Sequence, residues 1–233
     1  MKKLPEAEIY KLEMQFMPWG KLISEIVSKI VKEVPYNGKI IDLMCGPGYL
    51  LEKIHACRPD TKLTGVDIDK RYIDYARKNS QIDYICGDIR RWKTVEKYEC
   101  VICTSGVHHL PYEDQSCLFK KTASFLKGGG FSICAESCIG EYSNSNERQL
   151  EAARLDLEYL KTIIKNKAPA SIIHAMLDIL QNDVFEDGEY KIPLSQLTKM
   201  AQKLFCKVEV KKTWPTKQSS YGDYYIILKL AKP

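Results

Sequence analysis

Long apolar runs are the first thing the sequence lacks. Nowhere do about 18 apolar residues follow one another unbroken, so no transmembrane helix is expected. The start, MKKLPEAEIYKLEMQ, carries two lysines with no apolar stretch behind them, which is not the pattern of a secretory leader. A soluble, unexported, cytoplasmic protein is the expectation. Strong charge of one sign is missing too: 35 Lys and Arg against 30 Asp and Glu leave +5, scattered along the chain, and this gives no footprint for a nucleic-acid backbone. No internal repeat and no low-complexity tract occurs.

Cysteine frameworks are also absent. The nine cysteines are an odd number spread over strand-like and helix-like positions, so reduced thiols are expected. Cys100 and Cys103 form a CxxC inside the β-branched run YECVICTSG, where residues three apart face opposite sides of a sheet. A redox pair opens a helix instead, so these read as buried core thiols. Cys134 and Cys138 would need a third cysteine at 141 for an iron–sulfur set, and that residue is Glu141.

What is present is an alternation of strand-length apolar runs with helical periodicity, the pattern of a parallel sheet covered on both faces. Strands are predicted at 39–44, 62–67, 83–87, 99–104 and 131–136, with LLEKIHAC, KRYIDYARKN and QSCLFKKTASFLK as the helices between them. SQLTKMAQKLF then reads as a helix, and CKVEVKKTW and DYYIILKL as two strands around the polar loop PTKQSSYG, an antiparallel hairpin at the sheet edge. The 45% apolar content supports one α/β domain with additions. These give an N-terminal helical cap (1–35), a ligand-binding core (36–140), a helical lid insertion (141–194) and a C-terminal helix with hairpin (195–233). The cap carries one apolar stripe at Ile23, Ile26, Val27, Ile30, Val31 and Val34. The insertion shows two: Leu150, Ala153, Leu157, Leu160 and Ile164, then Ile172, Ile173, Met176, Leu177 and Leu180.

The stretch IIDLMCGPGYLLEKI passes from strand to helix through Gly46 and Gly48, a turn that brings backbone close to a ligand. A dinucleotide GxGxxG fails at Leu51, and neither glycine precedes Lys-Ser or Lys-Thr, so pyrophosphate and triphosphate ligands are disfavoured. LTGVDID ends the second strand with Asp67, where an acid can accept from both ribose hydroxyls. YICGDIRRW places Asp88 after the third strand, where a carboxylate could accept from an exocyclic adenine amine. Asp42, Asp67 and Asp88 thus fall in order along the rim where open parallel sheets bind ligands. Each alone also reads as an ordinary strand-end or helix-cap residue.

On these motifs the chain resembles the class I S-adenosylmethionine-dependent methyltransferases over roughly residues 36 to 140. DLMCGPGYL is similar to the family's first motif, GVDID to its ribose-binding acid, CGDI to its adenine turn, VICTSGVHHLP to its fourth-strand motif, and LKGGGFSI to the turn before its fifth strand. The resemblance implies a Rossmann-like, doubly wound, seven-stranded and mostly parallel sheet, with S-adenosylmethionine as cofactor and S-adenosylhomocysteine as product. It places Gly46 and Gly48, with Cys45, near the methionine part, Asp67 and Ile68 at the ribose, Asp88 and Ile89 at the adenine, and Thr104 and Ser105 near the sulfonium. One departure is Met44, which stands where the family has a glycine.

Methyl transfer from a sulfonium is an in-line displacement with an activated leaving group, so little catalytic machinery is needed beyond alignment in a dry pocket. A protonated nucleophile would also need a base, worth about 10²–10⁴-fold, and His108 and His109 are the candidates. Neighbours in an extended segment point opposite ways, so one of them at most is expected to face the pocket, and no metal site is expected. The insertion follows the fifth strand at the rim and is the natural lid. Residues 141–190 of it hold ten acids, from Glu141 to Glu189, against six basic residues when Lys191 just past that stretch is counted, giving −4. That fits a neutral or basic small molecule better than a polyanion. N-terminal aromatics Tyr10, Phe16 and Trp19 would help enclose it or else pack in the core. Two other readings stand beside this one: an RNA or tRNA methyltransferase, on lysines such as Lys211, Lys212 and Lys217, and a non-catalytic cofactor-binding protein. Oligomeric state is not legible.

Overall fold

The computed structural model describes residues 5–231. Two helices, α1 (Ala7–Glu13) and α2 (Trp19–Glu33), lead into β1 (Lys39–Leu43), α3 (Tyr49–Cys57), β2 (Lys62–Asp67), α4 (Lys70–Asn79) and β3 (Asp83–Cys86). Then come β4 (Tyr98–Thr104), a 3-10 turn at Val107–His109, α5 (Tyr112–Phe125) and β5 (Leu126–Cys138). The insertion forms α6 (Ser145–Lys165) and α7 (Ala170–Phe185), and the chain closes with α8 (Leu194–Gln202), β6 (Lys207–Trp214) and β7 (Gly222–Lys229). No helix among the described residues is long and apolar enough to cross a membrane.

The seven strands lie in the order β3-β2-β1-β4-β5-β7-β6, and β7 alone runs against the other six. The strand sequences explain the arrangement. Side chains alternate across a strand, so the consecutive buried residues of β1 (Ile40–Leu43) and β4 (Cys100–Cys103) demand cover on both faces. Leu22, Ile26 and Ile30 of α2 pack with Leu51 of α3 and Ile73 of α4 on one face. Leu118 and Phe119 of α5, with Leu197 and Ala201 of α8, cover the other. Cys100 joins the first cluster and Cys103 the second, so the two thiols face opposite sides, and all nine cysteines are free. The order reverses between β1 and β4, which opens a crevice at their carboxyl ends.

Some expectations need correction. β5 starts five residues earlier than predicted, because Leu126 pairs with Tyr98 before a register shift carries the ladder on from Cys100 and Phe131. Val31 of the α2 stripe is exposed. The larger error concerns α6. The face predicted to be buried is open, with Leu150, Leu157 and Ile164 exposed at 51%, 45% and 53%. The buried face is Arg148, Ala152, Leu155, Tyr159 and Ile163. Polar partners explain the choice: Arg148 bonds the Asp183 backbone carbonyl of α7, and the Tyr159 ring stacks on Trp214 at 4.7 Å. A periodicity count that scores only aliphatic residues misses a face defined by a paired arginine and a tyrosine.

Candidate functional site

The turn after β1 is built from unusual backbone. Met44, Gly46 and Gly48 all have positive φ, at 67°, 53° and 85°. Such a conformation is disfavoured for residues with a Cβ by roughly 1–2 kcal/mol, so Met44 carries strain that glycine would avoid. At Gly48 a side chain is excluded twice, since a Cβ there would lie 2.3 Å from the Tyr84 hydroxyl oxygen. Ser105, after β4, is a second strained residue, with φ 50°. Met44 and Ser105 both line the same cavity of about 610 Å³, a volume ordinary for a small-molecule site.

Of the residues predicted from sequence, Met44, Gly46, Asp67, Ile68, Ser105, His108 and His109 line this cavity. Asp67 is fixed by two backbone donors, the N–H of Gly46 and the N–H of Asp69, each at 2.8 Å, one on each carboxylate oxygen. Each oxygen keeps a second lone pair for a ligand hydroxyl. Burial pushes the Asp67 pKa up, against the pull of those two donors. Ile68 beside it is 53% exposed, an apolar ledge on the rim.

Other predicted residues lie outside the cavity wall. Asp42 is buried behind the turn, and burial, with the charge of Asp67, pushes its carboxyl well up. Cys45 is buried, its thiol likewise pushed up by burial. Asp88 is clamped by Arg90, with Nη2 to Oδ2 at 2.8 Å and Nε to Oδ1 at 3.0 Å, which holds its carboxyl below the usual range. Ile89 is in the core, and Thr104 ends β4 half-buried. Tyr10 and Trp19 line the cavity, whereas Phe16 packs against the lid cluster.

The histidines depart from the expectation most clearly. Residues 107–109 form a turn of 3-10 helix, not an extended segment, so both rings line the cavity with centroids 4.2 Å apart. Their supports were missed. Glu136, at the carboxyl end of β5, accepts from the N–H groups of Gly106 at 2.8 Å and Val107 at 2.7 Å on one oxygen. Its other oxygen meets His108 Nδ1 at 2.5 Å. Glu189 lies on the far side, 3.4 Å from His108 Nε2 and 3.6 Å from His109 Nδ1. Burial alone would push the His108 pKa down, but these two carboxylates outweigh it and hold the pKa above its ordinary value. Behind them Lys191 is buried, bonded to Asp183 and 3.8 Å from Asp156. Glu136 was findable, since the rim rule that marked Asp42, Asp67 and Asp88 applies equally to the end of β5. Glu189 and Lys191 carried no such signal, because only the fold of the insertion brings them back to the 3-10 turn, where the Tyr190 N–H bonds the His108 carbonyl at 2.7 Å.

Comparison with known proteins agrees with this geometry. The methyltransferase domain family matches residues 40–130. A malonyl-[acyl-carrier protein] O-methyltransferase of Acetivibrio thermocellus is 24% identical over 168 residues, 68% of this chain and 59% of that protein. Matched stretches span from 31% to 59% of that protein, of a second malonyl-[acyl-carrier protein] O-methyltransferase and of a carboxy-S-adenosyl-L-methionine synthase of Campylobacter hominis, so the chain covers less than two thirds of their length. Among solved structures, PH0226 of Pyrococcus horikoshii OT3 superposes with a TM-score of 0.60 at 18% identity, covering 91% of this chain and 89% of that one. The plantazolicin methyltransferase BpumL, solved with S-adenosylhomocysteine, gives 0.58 at 14% identity, covering 96% and 98%. Over residues 40–130, which hold the glycine turn and the rim acid Asp67, the chain is similar to the methyltransferase domain family, and its strand order is shared with solved structures of the same fold.

Proposed function

We propose that the protein moves a methyl group from S-adenosylmethionine to a small-molecule acceptor by in-line displacement, releasing S-adenosylhomocysteine. The observation that carries this reading is one cavity reaching from the Gly46–Asp67 edge to Met176 and Ile179 of the inserted helices, so donor and acceptor can share one continuous space. Asp67 accepts the ribose hydroxyls. The turn from Met44 to Gly48 meets the methionine part, the adenine lies on Ile68 towards the loop of Asp88 and Ile89, and Ser105 with Thr104 borders the sulfonium. Alignment and exclusion of water then do most of the catalytic work. A hydroxyl or amine acceptor must also lose a proton, and the two histidines stand on the wall where it leaves.

Charge favours a neutral or basic acceptor, since Asp156 and Glu189 line the lid side of the cavity with Lys191 already among them. The lysines that a nucleic-acid reading needs are engaged: Lys211 pairs with Glu25 at 2.5 Å and Lys217 with Glu158 at 3.0 Å. The test is a screen of metabolite extracts for transfer of labelled methyl, with Asp67→Ala as the control. Label appearing in a small molecule with the native chain and not the variant supports the reading. Label in RNA, with retention on RNA that salt abolishes, supports the nucleic-acid alternative. Binding of S-adenosylhomocysteine with no transfer to any acceptor points to a non-catalytic role.

A further inference from the structure

We propose that His108, His109 and Glu189 form a binding site for a first-row divalent metal ion on the acceptor side of the cavity, with zinc-like tetrahedral geometry. The donor atoms of the three residues all lie within 4.8 Å of one another. His108 Nε2 lies 3.4 Å from Glu189 Oε2, and His109 Nδ1 lies 3.6 Å from the other oxygen, Oε1. Ligands at about 2.1 Å from a tetrahedral ion stand roughly 3.4 Å apart, so donors this close are within reach of one ion.

The surroundings have the features that metal sites require. His108 presents Nε2 to the site while its Nδ1 is held by Glu136 at 2.5 Å, the carboxylate–histidine arrangement that fixes ring orientation behind a metal. Glu136 is itself anchored by two backbone N–H groups, so the support is rigid. Charge balance points the same way. Five buried carboxylates, Glu136, Glu189, Asp156, Asp183 and Asp223, stand against two buried cations, Lys191 and Arg148. Lys191 is 3.9 Å from Glu189 and bonded to Asp183, while the two histidines stand 3.4 Å and 3.6 Å from the Glu189 carboxylate. Unbalanced buried charge is costly, and the balance is made either by protons on the cluster or by a bound cation. Two nitrogens and a carboxylate suit zinc, iron or cobalt better than magnesium or calcium. Three protein ligands with a fourth position left for a water or an acceptor are the arrangement of a catalytic site. An ion held there would lower the pKa of an acceptor oxygen or nitrogen, whose proton would pass to solvent water, and the two histidines would serve as ligands in place of a base.

Cobalt(II) serves as the probe because its visible absorption reports coordination without any need for activity. Chelator-treated protein is titrated with cobalt chloride, and S-adenosylhomocysteine binding is measured by calorimetry on the same samples. The expected result is one equivalent with the absorption of four- or five-coordinate cobalt, weakened about tenfold or more in His109→Ala and in Glu189→Gln. His109 is partly exposed, with 32% of its side chain accessible, so its variant tests the site even where loss of Glu189 prevents folding. Native protein that gives no such absorption overturns the proposal, as does cobalt binding unchanged in the folded His109→Ala chain. Calorimetry separates the two readings: cobalt binding without the homocysteine ligand removes the donor assignment alone, and the reverse removes the metal site alone.

Discussion

Replacing Asp67 by alanine perturbs the donor site at its most connected atom pair. Each carboxylate oxygen already accepts one backbone N–H, from Gly46 and from Asp69, both at 2.8 Å, and each has one lone pair left for a ribose hydroxyl. A hydrogen bond to a charged group is worth about 1.5–3 kcal/mol net. Alanine removes both acceptors from the ligand, while water entering the space returns part of the loss. The expected weakening is therefore about 1.5–3 kcal/mol, roughly 10- to 160-fold in Kd. Asparagine is not a neutral control, because its amide NH₂ must face one of two N–H donors that now meet an oxygen. Both variants should weaken S-adenosylhomocysteine by calorimetry, with circular dichroism confirming the fold. A Kd within about threefold of the native value in a folded Asp67→Ala chain would refute the ribose assignment, since a threefold change is well below the loss of one such bond.

The turn and the lid support offer two further tests. Gly48→Ala puts a Cβ at φ 85° and 2.3 Å from the Tyr84 hydroxyl oxygen, and should lower unfolding stability by about 2–4 kcal/mol. Adding Tyr84→Phe removes that nearest atom and should recover part of the loss in urea melts; an alanine variant that melts at the native midpoint would show that the turn is not as described. Asp223 is buried against Tyr159 and Ser137, with Lys191 and Glu136 as its charged neighbours, and burial pushes its pKa up to about 6. Its folded-state pKa exceeds the unfolded value near 3.9, so the folded chain binds the proton more tightly and loses stability as pH rises from about 4 to 6. The shift corresponds to about 3 kcal/mol, so Asp223→Asn should become more stable relative to the native chain by that amount between pH 4 and pH 7. A stability difference that does not change with pH would contradict the raised pKa of the buried carboxyl.

The sheet was legible because strands buried on both faces leave apolar runs, and the turn after β1 because Gly46 and Gly48 take positive φ, which few other residues satisfy. The insertion was legible as two helices but not in its orientation, since α6 turns inward on Arg148 and Tyr159 while Leu150 and Leu157 stay outside. The histidines were found by position and misread in conformation: His108 and His109 share a wall only because Val107–His109 winds into a 3-10 turn held by Glu136. Asp88 shows the opposite failure, a rim acid in the expected place whose carboxylate is already committed to Arg90 two residues away. Local pairing of that kind leaves no trace in spacing alone.

A crystal structure of the protein with S-adenosylhomocysteine tests the central claim most directly. The account predicts the ribose hydroxyls within about 3.2 Å of the Asp67 carboxylate, the adenine on Ile68 and the homocysteine chain along the turn at Gly46. A ligand seated elsewhere, or one that leaves Asp67 bonded only to Gly46 and Asp69, would contradict it.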